Sequence, residues 1–427
     1  MRICFLVDYR SPIAQSWIEY FIETQHEVHV ISSHEAVAPT PGPDSLHCVP
    51  IGLANFRSRP ALRRHLAITG GNDTPAPGLA SATVGSLLRR ISSNVQDAYQ
   101  WIAPYEAYLH AGKISQLITE IKPDLVHAMR IPFEAILGAR ALSNLNVPFL
   151  VSVWGNDFTL QARQNRQVAR ATRSVMRRAN ALHADCERDI LLSRQWGLDA
   201  ATPTLLVPGN GGIRSEEFFP GCRDDGFAQR WDIPVGSPVV LNARNFRPGY
   251  VRNDIFFAAI PTVLAAVNDA TFVCVGMRGN PIAERWIRRY DIAHAVRLLP
   301  VMRRDEMASL FRLADVAVSP SNHDGTPNTL LEAMACGAFP VAGDIESVRE
   351  WIRDGENGLL CDPNDTITLA HTLVKALQAP LLRERAAVTN RRIILERAEY
   401  HRGMRRAEGF YSKIVESSSA AELHVLE

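Results

Sequence analysis

Residues 319–337 read SPSNHDGTPNTLLEAMACG and follow directly on the apolar run VAV at 316–318. The apolar run predicts a buried strand. Thr326 is a good N-cap residue, Pro327 suits the first position of a helix, and Gly337 suits the C-terminal cap. The segment therefore predicts a strand, a short loop, and a helix that begins near Pro327 and ends before Gly337.

The start of this helix is a candidate ligand site. Parallel α/β sheets bind ligands at the carboxyl ends of their strands, and the free N–H groups and dipole of a helix start favour a phosphate. Asp324 lies just before the helix, and Asn328 and Glu332 are four residues apart on one helical face. Carboxylates are poor partners for phosphate but good acceptors for sugar hydroxyls. We therefore predict that a nucleotide sugar binds here, through Asp324, Glu332 and the segment that contains Gly325, Thr326, Asn328 and Thr329. The alternative is a well-capped helix with solvated acids.

The rest of the chain alternates strand and helix patterns in two rounds. The first round ends near 207, and a turn at 208–212 leads to the second, which begins at 238. Such alternation predicts two doubly wound parallel sheets. We expect an N-terminal domain at 1–207 with an irregular, Pro-rich and Gly-rich insertion at about 39–87. A C-terminal domain follows at 208–394, and final helices at 395–427 pack back on the first domain.

Composition excludes several classes of function. The formal net charge is +1, which argues against nucleic acid as a partner. The seven cysteines are scattered and none forms C-x-x-C, which favours free thiols in a reducing compartment. No apolar run approaches the roughly 20 residues that a membrane span needs. We therefore expect a cytoplasmic protein.

Taken together, the motifs of the second half resemble the signature of glycosyltransferase family 4, a family with the GT-B fold. That signature has two acids separated by seven residues, then Glu-Ala-Met-Ala-x-Gly and a Pro-Val strand. The chain shows Asp324, Glu332-Ala-Met-Ala-Cys-Gly337 and Pro340-Val341, with Glu350 and Asn357-Gly358 downstream. The resemblance implies two Rossmann-like domains that face each other across a cleft.

The resemblance also implies roles for particular residues. Glu332 matches the acid that binds the donor ribose, and Asp324 stands where the acid that contacts the transferred sugar is usually Glu. The family places an Arg and a nearby cation beneath the diphosphate, and here Arg244 matches the Arg. The usual Lys is absent, and we favour Arg252 over Arg247 for the second cation.

The first domain departs further from the family. Many members carry His-Gly-x-Asp after a strand, whereas this chain reads Trp154-Gly-Asn-Asp157. We expect Asp157 to bind acceptor or donor hydroxyls and His127, at another strand end, to lie nearby; an ordinary strand-end histidine is the alternative. Ser11, at the start of the first helix, is assigned to the same side.

By resemblance, the reaction is retaining transfer from a nucleotide-diphosphate sugar to a polysaccharide, lipid-linked or small-molecule acceptor. The donor phosphate takes the acceptor proton. No metal and no cofactor are expected, because arginines and a helix start replace the cation. A hydrolysing nucleotide-sugar epimerase of the same fold and a non-catalytic nucleotide-sugar binder are the alternatives.

Two groups of arginines suggest a surface for an anionic partner. One recurs at helical spacing at 163, 166, 170, 173 and 177, and the other comprises Arg57, Arg59, Arg63 and Arg64 in the insertion. Such faces suit an anionic membrane or an acidic acceptor, which would place the enzyme on the inner membrane face. The alternative is a solvated face.

Overall fold

The computed structural model describes residues 1–50, 108–247 and 249–425, with side chains up to residue 418. Two parallel sheets form its core. The first has seven strands, which are β1 (Arg2–Val7), β2 (Glu27–Ser32), β3 (Ser45–Cys48), β4 (Leu125–Met129), β5 (Phe149–Val153), β6 (Ala181–Ala184) and β7 (Thr204–Leu206). The second has six, which are β8 (Val239–Asn242), β9 (Thr271–Cys274), β10 (Val296–Leu298), β11 (Val316–Ser319), β12 (Phe339–Gly343) and β13 (Leu359–Cys361).

The strand orders are β3-β2-β1-β4-β5-β6-β7 and β10-β9-β8-β11-β12-β13. All pairs are parallel; Ile3 of β1, for example, lies beside Val28 of β2 and Leu125 of β4. Each sheet is doubly wound, with a switch point between β1 and β4 and between β8 and β11, where ligands bind in such folds. The predicted fold class of two Rossmann-like parallel-sheet domains is confirmed.

Helices cover both faces of each sheet, so most strands are buried on both sides. Those around the first sheet are α1 (Pro12–Glu23), α2 (108–121), α3 (Glu134–Ala141), α4 (Asn156–Thr159), α5 (Arg166–Arg178) and α6 (Glu187–Gln195). Those of the second half are α7 (Asp225–Arg230), α8 (Asn253–Ala266), α9 (Pro281–Tyr290), α10 (Arg304–Leu313), α11 (Asn328–Cys336), α12 (Glu346–Arg349), α13 (Thr366–Leu377), α14 (Pro380–Arg397) and α15 (Tyr400–Val425). Among the described residues, no helix combines the length and apolarity needed to span a bilayer.

One expected boundary is corrected. We placed the start of an irregular insertion near residue 39, but β3 pairs with β2 and forms an edge of the first sheet. The prolines that suggested a loop lie before the strand, where a cis Thr40–Pro41 peptide turns the chain. Residues 51–87 of the expected insertion, including Arg57, Arg59, Arg63 and Arg64, lie outside the described residues.

The last helix, α15, packs on the first sheet although the second domain precedes it in sequence. Tyr400, Met404 and Tyr411 are buried against α1 and the adjoining strands. Trp17 of α1 donates its indole N–H to the Tyr411 hydroxyl at 2.9 Å. The helix therefore contributes core side chains to the first domain.

Below this contact, a chain of buried hydrogen bonds crosses the sheet. Nδ1 of His127 meets the Tyr411 hydroxyl, and its Nε2 meets Oγ of Ser152 at 2.7 Å. Ser152 in turn meets Nδ1 of His183, whose Nε2 lies 2.9 Å from the carbonyl of Val207. Each group can donate one bond and accept one only if both imidazoles are neutral. Burial lowers the pKa of both, that of His183 to about 4.

We expect acid to destabilise the protein through these histidines. Between pH 6.5 and 4, His183 takes up a proton in the unfolded chain but not in the folded protein, so the free energy of unfolding falls by about 3 kcal/mol over this interval. His183→Gln should flatten the pH dependence of the urea midpoint, whereas His371→Gln, at an exposed helix position, should not. Equal slopes for both variants would contradict this account.

Candidate functional site

The loop before α11 and the helix start differ in detail from the expectation. Pro327, not Thr326, is the N-cap of α11, whereas Gly337 ends the helix in the left-handed conformation as predicted. The Thr326 hydroxyl donates instead to the backbone carbonyl of Asp185 and accepts from the indole N–H of Trp351. This hydroxyl therefore connects the loop to the first domain, and the predicted N-cap role of Thr326 is corrected, whereas its contact with a donor stays a prediction.

Arg244 and Asp324 form an ion pair at the start of α11. Arg244 is only 7% exposed, and a second guanidinium nitrogen donates to the Thr329 hydroxyl at 3.3 Å. The backbone N–H of Gly325 donates to the Asp324 carboxylate at 3.1 Å. Three predicted residues from separate segments, Arg244, Asp324 and Thr329, thus meet at one point. Nε of Arg244 is buried with no partner among the described residues, which leaves a donor for a ligand oxygen.

Glu332 lies one turn further along α11, where both domains line a cavity of about 150 Å³. Its lining includes Asn328, Glu332 and Arg304 from the second domain and Ser16 of α1 from the first. Oδ1 of Asn328 is buried and, within the described chain, accepts no hydrogen bond. Burial raises the pKa of Glu332 to about 7, against the opposing effect of Arg304 and Arg244. The cavity therefore offers unpaired polar groups in a confined space. Ser11 precedes the helix whose first turns form the wall, and its side chain caps nothing.

The two candidates for a second cation lie near the site but face elsewhere. The guanidinium of Arg252 pairs with Asp254 at 2.8 Å and contacts Asn364, although its backbone N–H donates to Pro320 beside the loop. Arg247 contacts the hydroxyl of Tyr250 at 3.2 Å. Because both guanidinium groups already have protein partners, the assignment of the second cation stays a prediction.

Asp157 organises a loop and does not face the cleft. It is 1% exposed, and one carboxylate oxygen accepts from the backbone N–H groups of Ile131 and Trp154, at 3.2 and 3.1 Å. Burial raises its pKa to about 7, although Arg130 opposes the shift. The expected contact of Asp157 with substrate hydroxyls is corrected to a structural role.

His127 is likewise absent from the cleft. It is fully buried beneath α15, and both ring nitrogens have protein partners. The alternative of an ordinary strand-end histidine is the one the structure supports, and the predicted place of His127 beside the substrate is corrected.

The two domains touch where the Trp154–Asp157 loop meets the loop before α11. A Cβ on Gly155 would lie 1.8 Å from the backbone nitrogen of Gly325, and one on Gly325 would lie 2.4 Å from the Asp185 carboxylate. Gly155 also has a φ of +40°, which disfavours side chains. Both positions therefore require glycine.

Sequence reasoning missed Asp185 and Arg188 at this contact. It also missed that Glu350 of the second domain bonds to the first domain. Arg188 donates to the carbonyls of Gly155 and Asp324, both at 2.7 Å. Glu350, noted above only as part of a motif, accepts from the backbone of α6. Their position in the sequence could have identified Asp185 and Arg188, since they come soon after β6, at the edge of the sheet where ligands bind.

Asp185, Cys186 and Asp189 bring three possible metal ligands within 4.8 Å of one another. Their chemistry does not suit a cation. Asp189 is already paired with Arg188 at 2.8 Å, and burial raises the pKa of the Cys186 thiol well above its usual range. A protonated thiol is a poor metal ligand.

Comparison with known proteins gives two family matches that together span most of the chain. Residues 11–209 match the family described as "Glycosyl transferase 4-like domain", and residues 237–379 match "Glycosyl transferases group 1". The first covers the seven-stranded sheet and the second covers the six-stranded one.

Curated relatives and solved structures agree with these matches. The chain is 28% identical over 192 residues to a D-inositol 3-phosphate glycosyltransferase of Salinispora tropica, with 42% of this chain and 40% of the relative aligned. It covers about half the length of such relatives or less, from 40% to 47% of three of them.

Two solved structures share the fold over nearly the whole chain. Sucrose-phosphate synthase from Thermosynechococcus elongatus superposes with a TM-score of 0.74 at 14% identity, covering 98% of this chain and 100% of that one. Anabaena Alr3699/HepE in complex with UDP superposes with a TM-score of 0.70 at 15% identity, covering 97% and 100%.

The glycine contact generates a prediction about stability. Gly155→Ala should lower the free energy of unfolding by about 2–4 kcal/mol, because it adds a backbone clash with Gly325 to the strain of a positive φ. Gly279→Ala is the matched control, since Gly279 has a φ of +71° but no neighbour within 4 Å of a new Cβ. Urea unfolding of the two variants should separate the effect of the clash from that of the backbone strain. Equal decreases in the free energy of unfolding would contradict the close contact of Gly155 with Gly325.

Proposed function

Because the chain belongs to the GT4-type glycosyltransferases with the GT-B fold, we propose that it transfers a hexosyl group from a nucleotide-diphosphate sugar to an acceptor hydroxyl, with retention of configuration. The observation that carries the proposal is the meeting of Arg244, Asp324 and Thr329 at the start of α11, one turn from Glu332 in a cavity lined by both domains.

Charge explains how these groups would hold the donor. The diphosphate lies against the start of α11, where free backbone N–H groups and Arg244 face it. Arg244 would exchange its bond to Asp324 for the phosphate and stabilise the charge that grows as the leaving group departs. Asp324, released from the pair, accepts hydroxyls of the transferred sugar, and Glu332 accepts those of the ribose. Arg252 remains the favoured second cation.

The retaining step is proposed from family resemblance. The acceptor hydroxyl attacks the anomeric carbon from the side on which the diphosphate leaves. The bond from that carbon to the phosphate oxygen breaks, a bond to the acceptor oxygen forms, and the acceptor proton passes to the phosphate. No metal is needed in this scheme, because Arg244 and the helix start supply the positive charge.

The acceptor enters from the first domain. Ser16 of α1 lines the same cavity as Glu332, and Ser11 precedes the first residue of α1. A polysaccharide, a lipid-linked glycan or a small polyol is the proposed acceptor class, and the relative named for D-inositol 3-phosphate makes phosphorylated polyols the first small molecules to assay. HepE, which binds UDP, makes UDP-sugars the first donors to assay.

The alternatives predict different products. A hydrolysing epimerase would release free nucleotide and an altered sugar without any acceptor, and a non-catalytic binder would bind donor without turnover.

Donor binding and turnover test the assignment. Glu332→Ala should abolish thermal stabilisation by the matching donor, and Arg244→Ala should reduce kcat by about 100- to 1000-fold because it removes the cation at the leaving group. Arg303→Ala and Glu356→Ala, on exposed surface, serve as controls, and EDTA should leave wild-type turnover unchanged. Near-normal rates in Arg244→Ala would refute the site.

The basic face of α5 supports a second part of the proposal, a peripheral membrane location. Four arginines of α5, at positions 166, 170, 173 and 177, are exposed, as is Arg163 in the turn before the helix. Such a stripe attracts anionic headgroups by about 1 kcal/mol per arginine near the surface.

We expect the protein to sediment with vesicles that contain phosphatidylserine at low salt and to be released as salt screens the charges. Replacing Arg166, Arg170 and Arg177 by Gln should abolish sedimentation, whereas replacing Arg285, Arg288 and Arg289 of α9 by Gln should not. Failure of the wild-type protein to bind such vesicles would eliminate the membrane location and leave the transferase assignment intact.

A further inference from the structure

Arg188 lies between the two domains and contacts both. It belongs to α6 of the first domain, and its guanidinium donates to the carbonyl of Asp324 in the second domain at 2.7 Å. A second nitrogen donates to the carbonyl of Gly155 at 2.7 Å, and Nε donates to Asp189 at 2.9 Å. The side chain is 12% exposed. One planar group thus binds both loops that meet in the cleft.

The second domain also holds the backbone of the helix that carries Arg188. The Glu350 carboxylate accepts from the N–H groups of Glu187 and Arg188, at 3.0 and 3.2 Å. A carboxylate at a helix start is stabilised by unsatisfied N–H groups and by the helix dipole. The backbone N–H and the guanidinium of Arg188 therefore both donate hydrogen bonds to the second domain, the first to Glu350 and the second to Asp324.

Asp324 receives one bond from each domain at the same atom. Its carbonyl accepts from Arg188 of the first domain and from the Ser347 hydroxyl of the second, the latter at 2.9 Å. The carbonyl and the carboxylate belong to one residue in a loop, so the direction of the side chain depends on how the carbonyl is held. When the domains separate, the Ser347 bond can persist but the Arg188 bond cannot.

We propose that Arg188 is a positioning residue that couples the approach of the two domains to the placement of the Asp324 carboxylate. The inference rests on the proposed function, in which Asp324 contacts the transferred sugar. Arg188 itself touches no substrate in this scheme. Its effect is to hold the Asp324 carboxylate in position only when the two domains are in contact. The carboxylate can then bind the transferred sugar while both domains surround that sugar.

The charges around Arg188 explain why arginine serves here. Asp189 is fully buried beside it, and the Asp185 carboxylate lies against Gly325 within the same cluster. A lysine could neutralise Asp189 but could not also reach two carbonyls in fixed directions, because the guanidinium fork has five planar donors and the ammonium has three on a flexible stem.

The test compares Arg188→Lys with Ser347→Ala, which removes the other bond to the same carbonyl without crossing the cleft. Arg188→Lys retains a charge for Asp189 and should fold. With a donor that the wild-type protein uses, we expect Arg188→Lys to lower kcat by about 10- to 100-fold, since hydrogen bonds to charged groups contribute about 1.5–3 kcal/mol. The KM for the donor should change less than threefold. Ser347→Ala should lower kcat by about fivefold or less.

Small-angle X-ray scattering with and without UDP gives a second readout that needs no turnover. Arg188→Lys should show a larger radius of gyration than wild type in both conditions, and Ser347→Ala should match wild type. Glu350→Gln leaves Arg188 and Asp189 intact but weakens the hydrogen bonds to the start of α6, so it should also increase the radius of gyration. This variant replaces Arg188→Lys if Arg188→Lys does not fold.

Equal kinetic effects of Arg188→Lys and Ser347→Ala, or an unchanged radius of gyration in Arg188→Lys and Glu350→Gln, would overturn the proposal. If the wild-type protein turns over no donor, the proposed transfer fails while the scattering comparison still decides whether Arg188 holds the domains together.

Discussion

The site depends on the direct contact of two backbones across the cleft. Gly155 of the first domain approaches Gly325 of the second so closely that it tolerates no Cβ, and a Cβ on Gly325 would clash with the Asp185 carboxylate of the first domain. Around this point, side chains from each domain bond to the backbone of the other, including Thr326 to the Asp185 carbonyl and Arg188 to the Asp324 carbonyl. Backbone contacts fix geometry more tightly than long side chains do, because fewer rotatable bonds lie between the joined groups.

Electrostatics then determine which groups are available to a ligand. Arg188 is paired with Asp189 and Arg244 with Asp324, whereas the Asp185 carboxylate has one oxygen without a partner among the described residues. A buried pair resists separation unless a stronger partner replaces it. In the proposed reaction a diphosphate would be such a partner for Arg244. Arg188 is instead held by Asp189, which is fully buried. Under the proposal, Arg244 is therefore exchangeable and Arg188 is structural.

Local sequence patterns predicted the fold well and the site only in part. Apolar runs placed strands such as β5 and β11 because a strand buried on both faces is apolar throughout. The edge strand β3 was missed because its half-buried pattern is short and follows prolines. The helix start at α11 and Asp324 could be anticipated, since ligands bind at the carboxyl ends of parallel strands, and Arg244 was assigned by the family resemblance.

The misplaced residues share one physical cause, which is that other groups of the protein already bond to them. His127 and Asp157 follow strands, as cleft residues do, but α15 covers His127, and Asp157 accepts hydrogen bonds from the backbone of Trp154 and Ile131. Thr326 is a good cap by local rules, yet a carbonyl from the other domain takes its hydroxyl. A polar side chain at a strand end indicates only that its hydrogen bonds must be satisfied. Whether a ligand or the protein satisfies them depends on the folded surroundings, which range from a partner two residues away, as for Arg252 and Asp254, to one 284 residues away, as for His127 and Tyr411.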